Sequence, residues 1–216
     1  MSPQPLRAAV LGLIPVLLLP IGLSRAEDPP FEIEQWEKGL NKRQPPVRIM
    51  DAIDLRAGMV VGEIGAGSGR MTLWLAHRVG ETGRIYANDI DEEALGKLER
   101  RCQKEEVSNV KIVLGESENP RFPDNPLDLL FMINVYHHAD DPVALLRNAR
   151  SSLKPEGRLA IVECDPGKID WGEEHGCTGA GEMTRQLERA GYETIRIESF
   201  LNEDSIYVAR PRNSAP

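Results

Sequence analysis

Cysteine, histidine and aromatic side chains are scarce in this 216-residue chain, which has three Cys, four His and only 5% Phe, Trp and Tyr together. Three cysteines with no Cys-x-x-Cys pair exclude a disulfide-stapled mini-protein and offer no zinc-ligand spacing, so no metal is expected from the sequence. Positive charge is also short. Lys and Arg number 26 against 34 Asp and Glu, a formal net charge of −8. That balance argues against a nucleic-acid binder driven by phosphate neutralisation and against a polybasic membrane clamp. There is no internal repeat and no low-complexity tract, which excludes solenoid and collagen-like architectures. What remains is an acidic chain long enough to bury one sizeable core.

The first 26 residues read as a separate object. Arg7 precedes an uncharged stretch, residues 8–24, rich in Leu, Ile and Val and closed by small residues at Ser24 and Ala26. A bilayer span needs about 20 apolar residues, and Pro15 and Pro20 interrupt this run. A secretory signal cut after Ala26 is therefore expected, with a short membrane anchor as the alternative, and an exported, periplasmic or secreted protein that keeps no membrane attachment after cleavage. In an oxidising compartment Cys164 and Cys177 can pair, leaving Cys102 as a small buried apolar residue on a helix. Residues 27–46 read as an extended, Pro-punctuated lead-in with one helical turn near Trp36.

From residue 47 strands and helices alternate. Apolar runs at 59–64, 84–88, 110–114, 127–133 and 159–162 read as buried strands. Helices are expected from Pro46 through Ile53, over 70–79, from Asp91 to Cys102, over 142–153 and over 179–190, and a closing hairpin over 193–200 and 205–210. The order predicts one α/β domain over 47–211, with a parallel sheet covered on both faces and a short tail over 212–216.

The chemistry starts at Glu63-Ile64-Gly65-Ala66-Gly67-Ser68-Gly69. Glycines at alternate positions between a strand and a helix let backbone approach a ligand closely. Arg70 stands where a dinucleotide fingerprint wants its third glycine, which counts against a nicotinamide-dependent oxidoreductase. Asp89 ends the next strand, where a carboxylate can accept from both hydroxyls of a ribose and would repel a 2′-phosphate. Asp91 is the expected helix N-cap.

These residues resemble the class I S-adenosylmethionine-dependent methyltransferases, whose acid-x-Gly-x-Gly-x-Gly pattern Glu63 to Gly69 follows at every fixed position. The family's ribose acid matches Asp89, followed by Ile90. Its acid after strand three matches Glu116 in Gly115-Glu116-Ser117. Asn134-Val135-Tyr136-His137-His138 resembles the end of its strand four, and Leu153-Lys154-Pro155-Glu156-Gly157 the turn before strand five, with Glu156 where glycine is usual. The resemblance implies a Rossmann-like, doubly wound, mostly parallel seven-stranded sheet with its last strand antiparallel and helices on both faces. It implies S-adenosylmethionine as cofactor, held by Glu63, Gly65, Ala66, Gly67, Gly69, Asp89, Ile90, Glu116, Ser117 and Asn134.

Methyl transfer from a sulfonium is an in-line displacement that needs alignment and water exclusion more than any universal catalytic group. A base helps when the acceptor starts protonated, and Tyr136, His137 and His138 are the candidates at the carboxyl end of strand four. At most one of the two His is expected to face the acceptor. His175, in the loop after strand five, is a candidate acceptor contact. A small-molecule acceptor is expected, with no nucleic-acid partner. An exported protein is separated from a cytosolic cofactor, so a non-catalytic binding domain of the same fold stands as the second expectation.

Overall fold

The computed structural model describes residues 29–123, 127–170 and 175–212. The leader over 1–26, the turn residue Asp124 and the loop stretch 171–174 lie outside the described residues. In chain order the elements are α1 (Gln35–Arg43), α2 (Pro46–Ala52), β1 (Val60–Ile64), α3 (Arg70–Val79), β2 (Arg84–Asp89), α4 (Glu92–Lys104), β3 (Val110–Leu114), β4 (Leu127–Ile133), α5 (Pro142–Ala149), β5 (Leu153–Cys164), α6 (Ala180–Arg189), β6 (Tyr192–Glu198) and β7 (Asp204–Pro211). One seven-stranded sheet runs β3-β2-β1-β4-β5-β7-β6. β7 lies antiparallel between β5 and β6, and the first five strands in that order are parallel neighbours. This is the expected doubly wound architecture.

Alternation along each strand feeds two cores. Val61, Ala87, Phe131, Val162 and Val208 face α2, α3 and α4, whereas Ile64, Tyr86, Met132, Ile161 and Tyr207 face α5 and α6. Both faces are covered, so β4 reads as a continuous apolar run and not as an alternation. Helix starts follow local chemistry. The Asp91 carboxylate accepts from the N–H groups of Glu93 and Ala94, and Asp141 accepts from Ala144 with Pro142 in the first helical turn.

Three local expectations change. The lead-in is not extended: α1 is a nine-residue helix. Glu37 on it is fully enclosed and takes two hydrogen bonds from Arg101 of α4, at 2.6 and 2.9 Å. Just upstream, Phe31 meets Trp74 edge to face at 5.2 Å. α5 stops at Ala149 because residues 150–152 tighten into a 3₁₀ turn. β5 begins at Leu153 because the expected turn is absorbed as an irregularity in its pairing with β4.

The Glu37–Arg101 pair ties the N-terminal segment to the sheet, and removing one partner leaves a charge enclosed without its counterion. We expect Glu37→Ala to cost about 3–5 kcal/mol in urea unfolding, and Glu37→Leu combined with Arg101→Met to recover part of that loss. A cost within the range of an exposed ion pair, below about 1 kcal/mol, would contradict this role.

Candidate functional site

The carboxyl ends of the parallel strands meet in a cleft of about 260 Å³ lined by Ile64, Gly65, Asn88, Asp89, Ile90, Glu116, Ser117, Val135, His138, Ala139, Asp140 and Leu145. Open α/β sheets bind ligands at this edge, where the strand order reverses. Here the reversal falls between β1 and β4.

The loop after β1 forms one wall. Gly65 has φ +75°, and a Cβ there would lie 2.1 Å from the Val135 side chain beyond β4. Gly67 has φ +55°, and a Cβ on it would meet nothing within 4 Å. The first glycine thus lets protein close in behind the loop, while the second adjoins open space in front. The loop is pinned from β2. Ala66 N–H donates to the Asn88 carbonyl at 2.8 Å, and Asp89 Oδ2 accepts from Gly67 N–H at 2.7 Å. Asp89 Oδ1 accepts from Asp91 N–H at 3.0 Å. Each carboxylate oxygen has a second lone pair, so Asp89 can hold the loop and still accept from ligand hydroxyls. Beside it Ile90 is 63% exposed, an apolar surface presented to the cleft. Glu116 and Ser117 form the far wall, where the Arg121 guanidinium donates to Glu116 Oε1. Asp89, Glu116 and Asp140 make the lining acidic.

Not every expected residue reaches this cleft. Glu63 points from β1 toward α3, is 1% exposed, and accepts from Thr72 Oγ1 at 2.6 Å. It is not among the residues that line the cleft. Ala66 is buried. Asn134 has φ +54° and exchanges side-chain amide hydrogen bonds with Gln44 at 2.8 and 3.1 Å. Gln44 also accepts from Arg70 Nη2 at 2.8 Å and donates to Asp204 Oδ1 at 3.0 Å.

The 3₁₀ turn 136–138 turns Tyr136 away from the two histidines, whose rings pack together at 3.9 Å. Tyr136 enters the core, where its hydroxyl donates to Gln186 Oε1 at 2.5 Å and burial pushes its ionisation far above the usual range. It too is not among the residues that line the cleft. His138 lines the cleft. His137 turns to the end of β5, with Nδ1 2.5 Å from Glu163 Oε1. That oxygen also accepts from Cys164 N–H at 2.9 Å. With Glu163 ionised that oxygen is an acceptor, and the neutral His137 tautomer that donates Nδ1–H to it carries its lone pair on Nε2. His175 is exposed in the loop beyond β5. Cys164 and Cys177 are joined by a disulfide, and Cys102 is free and buried.

Sequence reasoning missed Gln44 and Glu163. An acid ending an apolar strand had singled out Glu63, and Glu163 after Leu159–Val162 carries the same signal. Gln44 carried none, because its partners lie 26, 90 and 160 residues away.

The residues fit S-adenosylmethionine. A carboxylate with spare lone pairs suits a ribose, an exposed Ile suits a flat apolar ring, and an acidic lining suits a cation.

Burial holds the Glu63 carboxyl at about 8, above its ordinary 4.5, against the opposing pull of the Thr72 hydroxyl and the Arg70 charge. Between those values the folded chain keeps a proton that the unfolded chain has released, so this group makes stability fall as pH rises through that window. Glu63→Gln, with no proton to lose, should flatten the slope and raise the melting temperature near neutral pH. Thermal melts across the window check this, and a slope unchanged from the parent would contradict it.

Comparisons with known proteins agree with this geometry. A family model described as a methyltransferase domain matches residues 62–161. The ubiquinone/menaquinone biosynthesis C-methyltransferase UbiE of Shewanella frigidimarina is 34% identical over 110 residues, covering 50% of this chain and 43% of that protein. The chain thus matches less than half the length of that relative. A SAM-dependent methyltransferase from Aquifex aeolicus superimposes with a TM-score of 0.75 at 26% identity, over 81% of this chain and 94% of that one. An S-adenosylmethionine-dependent methyltransferase from Mesorhizobium loti, at 14% identity and a TM-score of 0.63, covers 76% of this chain and 96% of its own and shares the fold. Residues 62–161 thus match a methyltransferase domain, and the chain has the fold of the class I S-adenosylmethionine-dependent methyltransferases.

Proposed function

We propose that the chain moves a methyl group from S-adenosylmethionine to a small organic acceptor. The observation that carries this reading is the Asp89 clasp on the glycine loop, which sets a carboxylate and an apolar side chain at the mouth of an acidic cleft. When bound, S-adenosylmethionine supplies an electrophilic methyl on a positively charged sulfur. The chain's own residues hold and orient. Asp89 would accept from the ribose and Ile90 would cover the apolar ring, with Glu116 and Ser117 bounding the far end of the cleft. Alignment of this kind, with water excluded, accounts for most of the barrier lowering such a displacement requires.

We assign the base role to His137, whose ring packs 3.9 Å from that of the cleft-lining His138. In the tautomer that donates Nδ1–H to an ionised Glu163, Nε2 is the basic atom. The UbiE relative carries C-methyltransferase in its name. Together with an oriented base, that makes electron-rich phenol and quinol rings the first acceptor class to test.

The test is mass spectrometry of acceptor panels incubated with the full chain and cofactor. We expect one class to gain a methyl group with S-adenosylhomocysteine as co-product. Asp89→Ala should weaken cofactor binding by about 1.5–3 kcal/mol, the worth of a charge-assisted hydrogen bond, and unchanged affinity would remove Asp89 from the site. His137→Ala should abolish turnover with cofactor affinity intact; turnover at the parental rate would rule it out as base.

A further inference from the structure

At the end of β5 a second cluster adjoins the cofactor cleft, its His137 ring 3.9 Å from that of the cleft-lining His138. His137 Nδ1, a Glu163 carboxylate oxygen and Cys164 Sγ all lie within 4.8 Å of one another. Cys164 is bonded to Cys177, so a second sulfur sits at the same place. Glu163 is fully buried, and its Oε2 is enclosed with no hydrogen-bond partner. A sealed carboxylate oxygen without a donor is costly, and a cation is the partner that relieves it. His137 keeps 13% of its side chain exposed, which leaves the cluster an approach from solvent.

We propose that reduction of the Cys164–Cys177 disulfide converts this cluster into a zinc site with ligands Cys164, Cys177, His137 and Glu163. Two thiolates, one imidazole and one carboxylate form a four-ligand tetrahedral set suited to Zn²⁺. The balance is explicit. A dithiol reductant gives up two electrons and two protons to the S–S bond, becomes a disulfide itself, and leaves two protein thiols. Zinc then replaces the two thiol protons, which pass to solvent, while the His137 ring proton moves from Nδ1 to Nε2 by exchange with water, so that the ring binds as a neutral imidazole. The metal comes to lie where the Nδ1–H···Oε1 hydrogen bond runs in the disulfide form. The rearrangement is small: sulfurs bonded to one tetrahedral zinc stand about 3.8 Å apart, so the two sulfurs separate by less than the width of an atom. An oxidised small disulfide reverses the exchange and expels the metal.

The sequence hides this site because its ligands come from three segments, the turn after β4, the end of β5 and the loop before α6, and no short spacing pattern joins them. The proposal does not depend on methyl transfer. It does bear on it, because zinc at Nδ1 displaces the hydrogen bond that orients His137 in the disulfide form.

Zinc alone is the probe. The full chain is dialysed against zinc with its disulfide intact and again after reduction, and bound metal is measured by mass spectrometry. We expect one zinc per reduced chain and none per oxidised chain. Cobalt(II) added to the reduced parent should give the intense sulfur-to-metal charge-transfer and tetrahedral ligand-field bands of a dithiolate site, a readout that needs no variant. Cys177→Ser and His137→Ala should each weaken binding about tenfold or more, while Cys102→Ser should leave it unchanged. Reduced chain that binds no zinc, cobalt spectra without thiolate bands, or affinity that survives Cys177→Ser would each overturn the site.

Discussion

The clasp from Asp89 to the glycine loop is the interaction on which the rest of the site depends. Its carboxylate ends β2, takes Gly67 N–H on one oxygen and Asp91 N–H on the other, and so joins three segments at one residue. Asp91 in turn caps α4. Leu98 of that helix fills the space behind Gly69, where a Cβ would lie 2.4 Å away. Strand end, loop and following helix are fixed together, and the open side of Gly67 faces outward. A preset backbone of this kind lowers the ordering cost of binding a flexible cofactor.

A second layer of organisation comes from the N-terminal segment. α1 is held to α4 by the Glu37–Arg101 pair and sits above the carboxyl edge of the sheet through Gln44. Gln44 is fully buried and bonds to Arg70, Asn134 and Asp204. One side chain thereby links the start of α3, the end of β4 and the start of β7. Its hydrogen bonds hold Asn134 in a left-handed backbone conformation that residues other than glycine rarely take.

The helices and strands were legible because their signals are local. Apolar runs mark β1 to β4, Asp91 marks the start of α4, and the residues from Glu63 to Gly69 carry their own geometry. Gly65, Asp89, Ile90, Glu116 and Ser117 line one cleft. What local pattern does not encode is direction. Tyr136, His137 and His138 are adjacent in sequence, yet a 3₁₀ turn assigns them to the core, to Glu163 and to the cleft. Glu63 lies one residue from the loop, but strand alternation aims it at Thr72 beneath. Residues whose roles depend on distant partners, Gln44 above all, become visible only once the chain is folded.

The central claim is that the acidic cleft beside the glycine loop is a preformed site for S-adenosylmethionine. Calorimetric titration of the full chain with S-adenosylmethionine, S-adenosylhomocysteine and NAD tests it most directly. The account predicts one-to-one micromolar binding of the first two and none of the third. A folded sample that binds neither sulfur compound, or that binds NAD in their place, would contradict it.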